Sequence, residues 1–183
     1  LPSGSPYYAR IERYGGDCFL IMTRISIRRA KKEDAERIHF ALTQLSVDLG
    51  DTHRATADDL VRHGFGAAPA FMALLAEQNT EDALVGALIA SPMFSTSLGG
   101  AGLYVSDLWV SEAARGQRLG PRLLQAALTE APADWTVRYL KLAVHNHNTD
   151  ARRFYERLGF KDLPDETVLA LKGDALESLR ILR

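Results

Sequence analysis

The sequence predicts a mixed α/β (α+β) fold, and three observations carry that expectation. Short apolar runs bounded by glycines or charged turns recur along the chain, as at Leu84–Ala90, Leu103–Val110 and Tyr139–Val144. Between them lie stretches whose apolar residues fall at helical spacing, as at Ala35, Ile38, Leu42 and Leu45. No internal repeat, low-complexity tract or linker breaks the alternation, so residues 25–183 read as one domain.

Residues 1–24 stand apart. Leu1-Pro2-Ser3-Gly4-Ser5-Pro6 and Gly15-Gly16 are loop-like and no period is sustained. They read as an N-terminal extension, poorly ordered or lying upstream of a natural start at Met22. Ile25-Ser26-Ile27-Arg28 then alternates as a strand does, and Lys32 to Val47 follows as a helix. Thr56-Ala57-Asp58-Asp59 opens a second helix, with Thr56 as N-cap and Asp59 as its box partner. Strands are expected at Phe71–Ala76 and Leu84–Ala90, around the polar turn Glu77 to Asp82. Gly99-Gly100 marks the turn before Leu103–Val110, and a helix runs from Leu119 to about Glu130. Tyr139–Val144 is a buried strand candidate. The helix Thr149–Leu158 stops at Gly159, a suitable left-handed cap. Short strands around Phe160 and at Thr167–Leu171, then a helix from Asp174, complete a sheet of six to seven strands.

Composition narrows the function classes. With 183 residues, 46% hydrophobic and 25% charged, the chain is long enough for a full core and ordinary for a soluble domain. A formal net charge of −1 gives no general attraction to nucleic acid or to a membrane surface. The single cysteine, Cys18, excludes an intrachain disulfide and a cysteine-rich metal site, and it has no local histidine to make it a nucleophile. No run reaches the roughly 18 apolar residues of a membrane span. Cys18 to Met22 also falls short of the roughly 7–15 residues of a signal-peptide core, so a cytoplasmic setting is expected. His145-x-His147 lacks a third ligand at a convincing spacing, and no metal is expected.

One stretch carries chemistry. Leu108-Trp109-Val110 leads into Arg115-Gly116-Gln117-Arg118-Leu119-Gly120, which reads as a strand, a turn rich in backbone donors and a helix N-terminus. Unpaired N–H groups and the positive end of the helix dipole suit a pyrophosphate. The glycines allow close approach, and Arg115, Arg118 and Arg122 add charge. Alone, the loop implies a phosphorylated carrier.

A second motif makes the inference specific. Asn148-Thr149-Asp150-Ala151-Arg152-Arg153-Phe154-Tyr155 through Gly159-Phe160 is similar to the Asn-x-x-Ala-x-x-Phe-Tyr-x-x-x-Gly-Phe segment of the GNAT superfamily of acetyl-CoA-dependent N-acetyltransferases. The loop resembles that family's Gln/Arg-x-x-Gly-x-Gly/Ala, with Arg118 in place of the middle glycine. Asp58-Asp59-Leu60, Gly64-Phe65-Gly66, Pro69, Leu75-Ala76-Glu77, Tyr104-Val105-Ser106-Asp107 and Val168 to Leu179 resemble the spermidine/spermine (diamine) branch, which includes thialysine acetyltransferases. The likeness spans about Ile25 to Leu179.

The resemblance implies a central mixed, twisted sheet flanked by helices on both faces, with two strands splayed at the cofactor site. It implies acetyl-CoA as co-substrate and a homodimer. The edge Leu108, Trp109 and Val110 takes the pantetheine amides, with the Val110 N–H as oxyanion donor. Arg115, Gly116, Gln117, Arg118, Leu119, Gly120 and Pro121 form the cradle. Asn148 contacts the carrier and caps its helix, and Arg153, with Arg152, reaches toward phosphate. Tyr155 is the general acid, a phenol of ordinary pKa about 10 that keeps its proton at neutral pH.

The base position departs from the family pattern. Ser106 stands where the diamine branch has an acceptor-side glutamate, and serine is no base near neutrality. Strand alternation sends Asp107 to the opposite face. That leaves His145, His147 or a water held by Ser106. The loop Asp48 to Arg54 sets Asp48 and Asp51 against His53 and Arg54, less acidic than a polyamine grip needs. The expected activity is acetyl transfer to a primary amine of a small molecule (an amino acid, diamine or lysine-like amine) by direct attack in a ternary complex. Alternatives are a protein or peptide N-acetyltransferase and a non-catalytic acyl-CoA-binding sensor.

Overall fold

Strands need partners, and pairing decides where the sequence pattern holds. The computed structural model describes residues 7–14, 17–79 and 83–181. β1 (Tyr7–Tyr14) pairs antiparallel with the first part of β2 (Asp17–Arg29). Residues 7–14 and 17–24, where the sequence sustains no period, are therefore strands. A hairpin satisfies their backbone groups through each other, which residue periodicity does not reveal.

The rest follows the expected order closely. α1 (Ala35–Leu49) ends at Gly50, whose φ of 70° is the left-handed cap. α2 (Ala57–Gly64) starts on the reciprocal cap legible in the sequence: the Thr56 hydroxyl accepts from the Asp59 N–H, and the Asp59 carboxylate accepts from the Thr56 N–H. β3 (Met72–Gln78), β4 (Ala83–Ser95) and β5 (Gly100–Val110) precede α3 (Leu119–Thr129) and β6 (Tyr139–Leu142). The strand order is β1-β2-β3-β4-β5-β6; β6 is parallel to β5 and the other neighbours are antiparallel. The central mixed sheet thus has five strands, β2 to β6, with β1 as a hairpin extension. No seventh strand forms among the described residues.

Two layers cover the sheet. On one face Ile38, Ala41 and Leu42 of α1 and Leu60 of α2 bury against Ala73, Leu75, Ala87, Ile89 and Trp109. On the other, Leu119 and Leu123 of α3 lie so close over Gly86 that a Cβ there would meet both at 3.2 Å. Each fully buried leucine contributes roughly 1.5–3 kcal/mol. A charged tie adds to the apolar core. Arg28 of β2 donates to both carboxylate oxygens of Asp34 at 2.7 Å and to Glu77 of β3 at 2.8 and 2.9 Å, and Arg37 of α1 also reaches Glu77.

One irregularity matters below. Ile89 pairs with Asp107 while Ala90 pairs with Val105, so Ser106 is the extra residue of a β-bulge.

By its internal contacts the chain divides into two units, Leu1–His145 and Asn146–Arg183, where the sequence suggested one. The second holds α4 (Thr149–Arg157) and α5 (Asp174–Arg180). Gly159 has φ 92°, the expected left-handed stop. The strands expected around Phe160 and at Thr167–Leu171 do not form; Val168 and Leu169 are 83% and 87% exposed. A lone strand without an edge to pair with has little stability of its own.

Candidate active site

β5 loses its parallel neighbour where the motif begins. The β5–β6 ladder runs from Gly102 opposite Tyr139 to Val105 opposite Leu142 and stops, while β5 stays paired with β4 as far as Val110. The Ser111 N–H donates to the Val85 carbonyl at 2.9 Å. Antiparallel alternation then turns the backbone groups of Val110 and Leu108 away from β4, toward the open edge. The Val110 carbonyl accepts from Arg115 Nε at 3.3 Å. This is the splayed pair expected from the resemblance. Trp109, between them, buries its ring in the core and meets Phe40 edge-on at 6.2 Å.

The loop that follows is built from left-handed turns. Gly116 has φ 76° and Arg118 has φ 58°, ψ 22°, directly before α3. Arg118 is the one non-glycine residue with positive φ among the described residues, and it occupies the position where the motif has glycine. No side chain caps α3, and Pro121 in its first turn has no N–H to give. The donors of Leu119 and Gly120 are therefore left for a ligand. Both residues are buried.

The arginines divide. Arg118 is exposed. Arg115 Nη2 binds Asp48 at the end of α1, at 2.6 Å. Gln117 donates to the Ala113 carbonyl at 2.8 Å, closing the turn. Arg122, expected to add charge to the loop, turns inward and donates to the Ile25 carbonyl at 2.6 Å. Its place on the helix face over β2 fixes that direction.

On the acceptor side the bulge overturns one expectation. Because Ser106 is inserted, strict alternation fails, and its hydroxyl donates to the Asp107 carboxylate at 2.7 Å. Burial pushes the Asp107 carboxyl up from its ordinary range, an effect that the Ser106 hydrogen bond and the nearby His53 partly offset. His53, from the loop after α1, lies 3.2 Å from His39 of α1, Nε2 to Nδ1. Sequence reading passed over His39 and set Asp107 aside, since a bulge leaves no mark on a period of two. His145 is joined to Asp51, Nε2 to carboxylate at 3.0 Å, and His147 is exposed. No cluster of three metal-binding side chains occurs among the described residues.

In the second unit, Asn148 caps α4 by accepting from the Ala151 N–H at 3.1 Å. Tyr155 is wedged edge-on between Phe154 and Phe160, with ring centroids 4.9 and 5.3 Å away. Burial pushes its phenol up to about 12. Arg152 is held by Glu156 and Asp162, and the exposed Arg153 sits 3.6 Å from Asp150.

A family model for the acetyltransferase (GNAT) family matches residues 41–160, which takes in the open β5 edge, the left-handed loop and α4. The chain belongs to the GNAT acetyltransferase family. It is an acyltransferase. A GNAT relative, the peptidyl-lysine N-acetyltransferase YjaB of Salmonella typhimurium, is 30% identical over 75% of this chain and 83% of its own. The thialysine N-ε-acetyltransferase of Sus scrofa is 28% identical over 86% of this chain and 98% of its own, in line with the branch inferred from Asp58 to Glu77. An integron cassette protein from the mobile metagenome of V. cholerae shares the GNAT fold at a TM-score of 0.69 and 21% identity, over 86% of this chain and 98% of its own.

Proposed function

We propose that this protein moves the acetyl group of acetyl-CoA to a primary amine of a small, lysine-like molecule, by direct attack in a ternary complex. The observation that carries the reading is the β5 edge from Ser106 to Val110, free of β6 and leading into an uncapped helix N-terminus. An extended amide chain ending in phosphates fits that combination: amides pair with a strand edge, and phosphates sit on helix N–H groups.

In this reading Leu108 and Val110 pair with the pantetheine amides. Gly116 to Pro121 cradle the phosphates, with Arg118 and Arg153 as charge. When bound, acetyl-CoA supplies a thioester. The amine nitrogen, once neutral, attacks the carbonyl carbon; the C–N bond forms and the C–S bond breaks. The Val110 N–H donates to the carbonyl oxygen as it gains charge, the role in which fixed donors act most strongly. Tyr155 gives its phenolic proton to the departing sulfur and regains the one shed by the new amide nitrogen; its raised pKa keeps the phenol protonated at neutral pH.

The acceptors in the names of two relatives, peptidyl-lysine and thialysine, both present an amine on a flexible chain, which favours a lysine-like acceptor. The weakly acidic loop Asp48 to Arg54 supports one cation over several. Two copies of the chain form the working unit in this proposal, which is tested below. The activity test is thiol release from acetyl-CoA across lysine, thialysine, diamines, polyamines, aminoglycosides and lysine peptides. The expected result is highest kcat/KM for a free lysine-like amine. Tight CoA binding with no thiol release on any acceptor would instead make it an acyl-CoA sensor.

A further inference from the structure

An alkyl ammonium of ordinary pKa near 10.4 holds almost all of its protons at neutral pH, so acetyl transfer needs a group that takes one. Ser106, at the position of the branch's glutamate, is not that group. His145 is committed to Asp51. The acceptor side of β5 nevertheless holds titratable side chains that sequence reading did not assemble: the contacting pair His53 and His39, and Asp107.

Their geometry is specific. The His53 Nε2 to His39 Nδ1 distance of 3.2 Å means one ring donates and the other accepts. If His53 donates from Nε2, its Nδ1 carries a free lone pair. His39, on the helix that covers β5, is half-buried, and its own carbonyl accepts from Thr43 Oγ1 at 2.8 Å within α1. Asp107 is half-buried beside the bulge, with Ser106 Oγ holding one carboxylate oxygen at 2.7 Å. His39 of α1 thus lies against His53, and Asp107 of β5 is close enough for the charge of His53 to act on its carboxyl. The last turn of α1, from which that loop starts, reaches the phosphate-side turn through Asp48 to Arg115 at 2.6 Å. The pair therefore joins α1, tied at its end to the turn that follows β5, to the loop after it. Three such groups do not make a metal site here.

We propose that His53 is the base that takes the acceptor's proton, with His39 and Asp107 as positioning residues. This rests on the N-acetyltransferase reading above. The ammonium proton passes to His53 Nδ1, the neutral nitrogen attacks the thioester carbon, the thiolate leaves with the Tyr155 proton, and a further proton shed by the new amide nitrogen restores the Tyr155 phenol. Charge on the imidazolium is balanced by the Asp107 carboxylate. The second proton, on Nε2, has an exit to His39 Nδ1. Each turnover returns His53 to neutral by release of one proton to solvent.

The test is steady-state acetylation by the full-length protein and its H53Q, H39Q and D107N variants, followed from pH 6 to 9. Each variant is first checked for CoA binding and for unchanged thermal unfolding. H53Q is expected to lower kcat with lysine or thialysine at least tenfold at pH 7 while CoA affinity stays within about twofold. An aminooxy analogue of the acceptor, whose nitrogen is unprotonated at pH 7, needs no base, so the H53Q deficit with it shrinks to under threefold. H39Q and D107N are expected to move the rising limb of the wild-type pH profile rather than abolish transfer. A wild-type kcat in H53Q, or an equal deficit with both acceptors, overturns the inference and leaves the acetyltransferase reading intact. A wild-type protein that acetylates no amine overturns both.

Discussion

At the residue scale, Arg118 poses a clear energetic question. A non-glycine residue at φ 58° bears a steric cost of roughly 1–2 kcal/mol that glycine avoids. Glycine in turn loses roughly 0.5–1 kcal/mol through the freedom it adds to the unfolded chain. The balance favours the mutant: Arg118→Gly should raise unfolding free energy by about 0.5–1 kcal/mol in urea melts of ligand-free protein. The guanidinium itself is exposed, so CoA binding should weaken only about threefold on its loss. Reduced stability would mean the turn tolerates the arginine for reasons of side-chain contact. Tyr155 offers a second residue-level test. Tyr155→Phe keeps the ring packing on Phe154 and Phe160 but removes the donor. Turnover should fall at least tenfold, and stability at pH 8 should change by less than about 1 kcal/mol. The phenol also leaves a pH signature. Its folded pKa of about 12 lies above the unfolded value of about 10. The unfolded chain therefore ionises first as pH rises, and stability that is intact below about pH 10 is lost as pH climbs toward 12. Tyr155→Phe should flatten that decline, which melts at pH 9 and 11 would reveal.

Elements are held together by a charged tie as well as by the core. Arg28 bridges Asp34, at the start of α1, and Glu77 on β3. The guanidinium holds Asp34 down at about 2 and lowers Glu77 as well. Asp34 is 8% exposed, so a neutral side chain there leaves Arg28 poorly matched. Asp34→Asn should cost about 1–3 kcal/mol at pH 7, toward the low end because Arg28 keeps partial solvent contact. A depressed carboxylate contributes above its unfolded pKa near 4 and stops contributing as pH falls through about 2. The wild-type and mutant melts should therefore converge between pH 4 and pH 2; a constant difference would assign the loss to packing. Much of this level was legible in the sequence. Thr56 and Asp59 announced the start of α2, Gly159 the end of α4, and the Ile25 alternation a strand, because each is set by neighbours in sequence. The bulge at Ser106 and the pairing of Tyr7–Tyr14 with β2 were not, since both depend on register between strands. The donor half of the site was readable for the same reason as the caps: Arg115 to Gly120 is one local turn. The histidine pair joins positions 39 and 53 across a helix end, and no local period marks it.

At the scale of the whole molecule, one segment contradicts its own sequence. Thr167–Leu171 has strand composition, yet Val168, Leu169 and Leu171 stand 83%, 87% and 49% exposed without ladder partners. Apolar side chains exposed in a row are costly for a single chain and mark a surface that pairs with something. A second copy is the partner in the proposal above, and a net charge of −1 opposes self-association little. Two identical chains paired there would close with two-fold symmetry, each burying its own copy of the segment. Light scattering at micromolar concentration should give twice the 20.2 kDa chain mass. Leu169→Asp places a charge in the middle of the segment, where it blocks strand pairing between copies. It should shift the protein to monomer, while far-ultraviolet circular dichroism stays unchanged because the segment has no regular structure to lose in one chain. Hydrogen exchange at residues 167–171 completes the test: protection that rises with protein concentration in the wild type and is absent in the variant assigns the contact to this segment. A wild-type monomer, or a variant that stays dimeric with the same protection, places the interface elsewhere or removes it.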